Sequence, residues 1–276
     1  MLEIPLERAF TLDAARADDE LATVIPCCVR HDDVVALHVA LERYRGRDAA
    51  RAMHVETLPR AFDTAFYWSE EELRELTGTT CLRDTLNLME ETREDYEQIE
   101  RKLEGIGEKD WMRERGIDYE RYAWARSNLW SRQCDLLKPD GTRTRAMVPT
   151  FDIFNHSPEA PLGKTHKLNA EEGLVTVYAG RDYEVGEQAF ISYGSGEAAN
   201  AKLLTWYGFC VEDNPYEELD ITLTVSVNKL RKTVLETALR ASAVAYLQDI
   251  DTRWRESGDY AKPYLPMLYS ILHSPK

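Results

Sequence analysis

Apolar side chains recur every three or four residues over three stretches of the chain, and that spacing predicts three helical regions. In the first, Val34, Leu37, Leu41 and Tyr44 share one face across residues 32–46, with Gly46 as the stop. The second opens at Ser69, where Glu72 completes a capping-box pattern, and continues to about residue 104 with a break around Gly78. The third covers residues 119–131, with Tyr122, Ala123, Leu129 and Trp130 on a common face. Beyond it the period changes. Pro139-Asp140-Gly141 signals a turn, and the apolar run at 146–149 predicts a buried strand. Residues 174–178 and 189–193 predict two more strands, joined by a polar turn. Past Pro215, a short strand at 221–225 and helical spacing over 228–255 predict a separate domain.

Composition narrows the class. A length of 276 residues with 43% hydrophobic side chains is enough for a sizeable core, and a mean hydropathy of −0.48 fits a water-facing globular surface. No run approaches the roughly 18 apolar residues of a membrane span, and Met1-Leu2-Glu3-Ile4-Pro5 lacks the layout of a signal peptide. The expectation is an intracellular protein, cytoplasmic before nuclear or plastid, with no membrane partner. Its net charge of −15 repels phosphate backbones, so nucleic acid is not an expected direct partner. Within residues 69–104, 12 acidic side chains face 5 basic ones, the pattern of a solvated helix surface. Five cysteines without paired spacing describe reduced thiols, neither a disulfide framework nor a zinc site, and no metal is expected.

Three segments carry candidate chemistry: Trp130-Ser131-Arg132-Gln133, then Phe151-Asp152-Ile153-Phe154-Asn155-His156-Ser157, then Gly186-Glu187-Gln188-Ala189-Phe190-Ile191-Ser192-Tyr193-Gly194. Their order and content resemble the SET-domain protein methyltransferases, and more narrowly the Rubisco large-subunit lysine methyltransferase subgroup. Leu2-Glu3-Ile4-Pro5, Thr57-Leu58-Pro59, Phe66-Tyr67-Trp68-Ser69, Ala199-Asn200-Ala201-Lys202 and Tyr207-Gly208-Phe209 extend the resemblance nearly end to end. It implies an α+β fold: a split SET domain over residues 1–211, made of small β-sheets with a pseudoknot. A helical insert would occupy about 46–130, and part of a helical substrate-binding domain would fill 212–276. The resemblance also implies that the chain starts after a glycine-rich cofactor loop, as an N-terminally truncated member.

By the same resemblance, Arg132, Asp152, Asn155, His156 and Tyr193 would hold S-adenosylmethionine. Tyr193 and Tyr207 would be the catalytic hydroxyls, and Phe151, Cys134 and Tyr207 would line the substrate channel. The residue types suit that chemistry. Methyl transfer from a sulfonium needs in-line alignment and a neutral nitrogen, which a desolvated, tyrosine-walled bore favours. Electron-rich rings also suit a cationic sulfonium, and an arginine fork suits a carboxylate. Taken singly, Tyr193 reads as a core aromatic, His156 as a structural histidine and Arg132 as a helix-ending surface residue; their collinearity is what points to a site. The expected activity is methylation of a lysine in a non-histone protein substrate, Tyr207 inclining the reading to lysine. Histidine methylation by the same fold is the alternative, and a cofactor-deficient protein-binding module is the other. Oligomeric state is not legible.

Overall fold

A computed structural model of the chain describes residues 1–160, 165–193 and 198–218. The expected strand at 221–225, the helix over 228–255, the rest of the C-terminal domain from 219 onward and the Gly194-Ser195-Gly196 turn lie outside the described residues.

Eight strands and eight helices follow in chain order among the described residues. Strands β1 (Leu2–Pro5) and β2 (Phe10–Thr11) lead into helices α1 (Leu12–Arg16), α2 (His31–Arg45) and α3 (Ala52–Thr57). Helices α4 (Glu70–Glu75), α5 (Thr80–Gly105), α6 (Trp111–Glu114) and α7 (Tyr119–Arg132) complete the helical part. Strands β3 (Gln133–Leu137), β4 (Arg143–Met147), β5 (Asn155–His156), β6 (His166–Asn169), β7 (Leu174–Val177) and β8 (Phe190–Ile191) follow, and then helix α8 (Asn200–Tyr207). The strands make two antiparallel sheets, ordered β1-β7-β6 and β2-β4-β3, and a small parallel pair of β5 with β8.

Helix α5 repeats its buried side chains at Cys81, Thr85, Leu88, Thr92, Asp95, Ile99 and Leu103, an amphipathic stripe whose opposite face is charged. Its N-terminus is capped by the Thr79 hydroxyl, which accepts from the Leu82 amide. The Ser69–Glu72 capping box is also formed, with the Ser69 amide donating to the Glu72 carboxylate at 2.7 Å. Helix α2 departs from its expected one-sided character: every residue from Asp33 to Glu42 is buried. The reason is tertiary, because α1, α3, α7 and β2 pack around it.

That burial carries ionic groups inside. Asp33 accepts from Arg126, Tyr122 and the amides of Val29 and Arg30, while Asp95 of α5 lies 3.3 Å from the same Arg126 guanidinium. One arginine therefore ties α2, α5 and α7 together. Asp18, His38 and Glu42 also converge, and Arg45 supplies the cation there, pairing with Asp18 at 2.6 Å and with Glu42 at 3.0 Å, while the Arg51 backbone amide donates to Glu42 at 2.7 Å. Burial holds His38 well below its ordinary value, at about 3, so its imidazole is neutral among these ions.

The strand pairing corrects the sequence reading in two places. Residues 174–178 and 189–193 do not form a hairpin: β7 lies between β1 and β6, whereas β8 runs beside β5. The strand expected at 146–149 begins earlier, at Arg143, because the turn at Lys138–Thr142 folds β4 back on β3 in the register Leu137↔Arg143. Its first half is polar and faces solvent, which hides it from an apolar-run criterion.

Candidate active site

The three motif segments converge where β5 and β8 lie side by side. Asn155 opposes Phe190 and His156 opposes Ile191, and the Ser157 amide extends the pairing to the Ile191 carbonyl at 3.1 Å. The ladder then stops, because the Tyr193 amide donates to His156 Nδ1 at 3.0 Å instead of to a strand partner. At its other end Tyr193 donates its hydroxyl to the Phe154 carbonyl at 2.7 Å. Tyr193 is thus held to the Asn-His segment by both backbone and side chain. A neutral His156 whose Nδ1 accepts carries its proton on Nε2.

Around these bonds four rings gather. Tyr193 and Tyr207 have centroids 4.5 Å apart, His156 lies 5.2 Å from Tyr193, and Phe209 sits 6.0 to 6.3 Å from the other three. Helix α8 delivers Tyr207 at its last turn and ends on Gly208 at φ +82°. A Cβ on Gly208 would stand 3.1 Å from the backbone at Asp63 and Thr64, so glycine is required both for the turn and for the approach.

Arg132 closes α7 and donates through Nη1 to the Asp152 carbonyl at 3.0 Å. The Asp152 carboxylate is fully buried; it accepts from His54 Nε2 at 2.8 Å and lies 3.6 Å from Arg132. Thr150, which precedes the turn at Phe151–Ile153, has φ +71°, a conformation that costs a threonine roughly 1–3 kcal/mol. The strain persists because the turn is tied down on both flanks. Four buried polar atoms here lack a hydrogen-bond partner among the described residues: His54 Nδ1, Arg132 Nε, Asp152 Oδ1 and Ser192 Oγ.

Burial favours the uncharged forms of Tyr193, Tyr207, His156 and Cys134. Burial pushes the Tyr193 hydroxyl up, Arg132 opposing and Asp152 adding to the shift. Burial, with Tyr193 beside it, pushes Tyr207 up to about 12. His156 is held below its ordinary value by burial, against a smaller pull from the Ile191 backbone. Cys134 is pushed up to about 12 by burial and by Asp135 and Asp152, which leaves it a thiol and no nucleophile.

Of the residues singled out from sequence, the structure brings Arg132, Asp152, Asn155, His156, Tyr193 and Tyr207 into this neighbourhood. Phe151 and Cys134 sit in the adjoining core, Phe151 buried against His166 at 4.6 Å and Cys134 half-buried on β3. Sequence reasoning did not single out His54, Thr150 or Ser192. His54 stands just before Thr57-Leu58-Pro59, yet no local pattern marks a histidine whose partner is nearly a hundred positions away.

No protein-family model matches the chain. The chain is 30% identical over 194 residues to the actin-histidine N-methyltransferase of Danio rerio, which is 70% of this chain and 32% of that protein. The Homo sapiens actin-histidine N-methyltransferase is 28% identical over the same share of each. The chain spans about a third of the length of these curated relatives. Among solved structures, the SET domain of LSMT bound to lysine and AdoHcy superposes with a TM-score of 0.70 at 24% identity, covering 88% of this chain and 54% of that one. Rubisco LSMT bound to sinefungin and monomethyllysine gives 0.65 at 25% identity, covering 88% and 53%.

Proposed function

We propose that the chain, which has the fold of the SET-domain protein methyltransferases, transfers a methyl group from S-adenosylmethionine to a histidine side chain of a protein substrate. The observation that carries the transfer reading is the double attachment of Tyr193 to the Asn-His segment, with the Tyr207 ring tilted against it at 4.5 Å. The choice of histidine departs from the lysine expectation drawn from Tyr207. It is supported by the curated relatives, which are histidine enzymes.

The residues present fit the cofactor. Arg132 Nε, buried and without a partner among the described residues, belongs to a permanently charged fork suited to a carboxylate. His156, neutral and tautomerically fixed, offers Nε2–H without adding positive charge beside a sulfonium. Asn155, next to it on β5, supplies amide donors and acceptors for an adenine edge. Bound S-adenosylmethionine supplies an electrophilic methyl group on a positively charged sulfur.

The chain's own groups do the rest by orientation and desolvation. The Tyr193 hydrogen is committed to Phe154, so the hydroxyl oxygen keeps lone pairs for the ring N–H of an incoming neutral imidazole, whose other, unprotonated nitrogen attacks the methyl carbon. Tyr207 and Phe209 complete an aromatic wall, while Phe151 and Cys134 belong to the core cluster that reaches Phe154 and Ile191. With both tyrosine pKa values raised and the His156 Nδ1 already accepting, none of these groups is placed to take a proton from a lysine ammonium. A histidine acceptor needs no such help, since imidazole is largely neutral near pH 7 whereas an ammonium titrates near 10.4.

The test is labelled-methyl transfer to two peptides identical except for His or Lys at one position, with the product mapped by mass spectrometry across pH 5.5 to 9.5. The expected result is labelling of the histidine peptide, rising through about pH 6.5 and level above about 7.5. Preferential labelling of the lysine peptide, still climbing at pH 9, would return the assignment to lysine.

A further inference from the structure

We propose that His54 is a positioning residue for this site: it anchors Asp152, and through Asp152 it fixes both the Arg132 guanidinium and the turn that delivers Asn155 and His156. His54 lies on α3, Asp152 in the Phe151–Ile153 turn and Arg132 at the end of α7, so three separate segments meet at one buried carboxylate. The His54 Nε2–H···Oδ2 contact is 2.8 Å, and both side chains are almost fully buried. Arg132 reaches the same residue twice, through the carbonyl at 3.0 Å and toward the carboxylate at 3.6 Å.

Two further observations make this more than a structural ion pair. The tether sits two residues after Thr150, whose positive φ needs an external restraint, and two residues before Phe154, whose carbonyl receives the Tyr193 hydroxyl. A loosened Asp152 would release the turn toward relaxed backbone and carry Phe154, Asn155 and His156 with it. The unpartnered atoms Asp152 Oδ1 and Arg132 Nε belong to the two groups that His54 holds in place, so their directions depend on this contact. A guanidinium binds a carboxylate tightly only when its fork is pre-aimed, which is what a fixed Asp152 provides.

The inference rests on the cofactor reading for one arm of its test and stands apart from it in the other. His54→Leu removes the donor, His54→Gln places an amide N–H near the Nε2 position, and His54→Asn keeps polarity but falls short of Asp152. In the ligand-free protein, hydrogen exchange of residues 148–157 is expected to speed up about tenfold in H54L and H54N, with α2 and α7 unchanged and H54Q close to wild type. Calorimetric titration with S-adenosylmethionine is expected to show affinity reduced about tenfold in H54L and H54N and restored in H54Q. If H54L does not fold, the H54N and H54Q pair decides. Unchanged exchange at 148–157, exchange raised equally across α2 and α7, or no rescue by glutamine would overturn the proposal. Failure of the wild-type protein to bind S-adenosylmethionine would count against the proposed function instead, and the exchange arm would still decide the role of His54.

Discussion

Tyr193→Phe is expected to lower methyl transfer about 100-fold, the scale seen when one pre-aimed hydrogen-bonding group is removed from a transition-state site. The substitution keeps the ring against Tyr207 and His156 and keeps the backbone bond to His156 Nδ1. It deletes only the hydroxyl that joins the Phe154 carbonyl to the ring N–H of the incoming imidazole. Cofactor affinity should therefore change little while kcat falls, a split that calorimetry and single-turnover labelling measure together. Equal loss of both would mean that the hydroxyl serves the pocket's shape and not the transfer. Tyr207→Phe, whose hydroxyl has no comparable anchor to the Asn-His segment, is expected to lose less.

The second large effect lies away from the chemistry. Arg126→Met should destabilise the fold by about 3–5 kcal/mol, because it strips Asp33 of its cation and leaves Asp95, which faces it, with only the half-exposed Arg30 at 3.5 Å. Asp33 and Asp95 sit on α2 and α5, and the tyrosine that also donates to Asp33, Tyr122, cannot replace a charge. Against a total stability of roughly 5–15 kcal/mol, that loss should lower Tm by about 10 °C. The pH dependence has a definite sign. Burial and the Asp33 charge already push the Asp95 carboxyl up, so the native state holds its proton to higher pH than the unfolded chain does. Such a group stabilises the native state as pH falls, and losing Arg126 raises it further. The deficit of R126M relative to wild type should thus shrink between pH 7 and pH 5 in thermal denaturation. A deficit that grows on acidification would show that the two carboxylates are not the cause.

What could be read from the sequence follows the range of the forces involved. Helices α2, α4, α5 and α7 were legible because their signals lie within a few residues: apolar spacing, the Ser69 capping box that opens α4, and Gly46 after α2. The exposure of α2 was misjudged, since nothing local reveals that four other elements surround it. Likewise the 174–178 and 189–193 segments were recognisable as strands, but not their partners. Strand choice is settled by crossings of distant chain, here β8 with β5 and β7 with β1. The shortness of β8 also has a side-chain cause, the His156 imidazole taking the Tyr193 amide. Arg132, Asp152, Asn155, His156, Tyr193 and Tyr207 were readable as one site only through the collinear motifs. Periodicity alone would have left Tyr193 a core aromatic. His54 and Thr150 were beyond reach for a different reason: their significance is a partner or a torsion angle, and neither has a signature in residue type.

The account turns on the crossing of the Asn-His segment with the Tyr193 strand as the place where the methyl donor sits. Titration of the isotopically labelled protein with S-adenosylmethionine, followed by amide chemical shifts, tests that most directly. Saturable shifts centred on Arg132, Asp152 to His156 and Phe190 to Tyr193, with α5 unmoved, are the predicted result. Shifts confined to another part of the molecule, or none at millimolar donor, would contradict it.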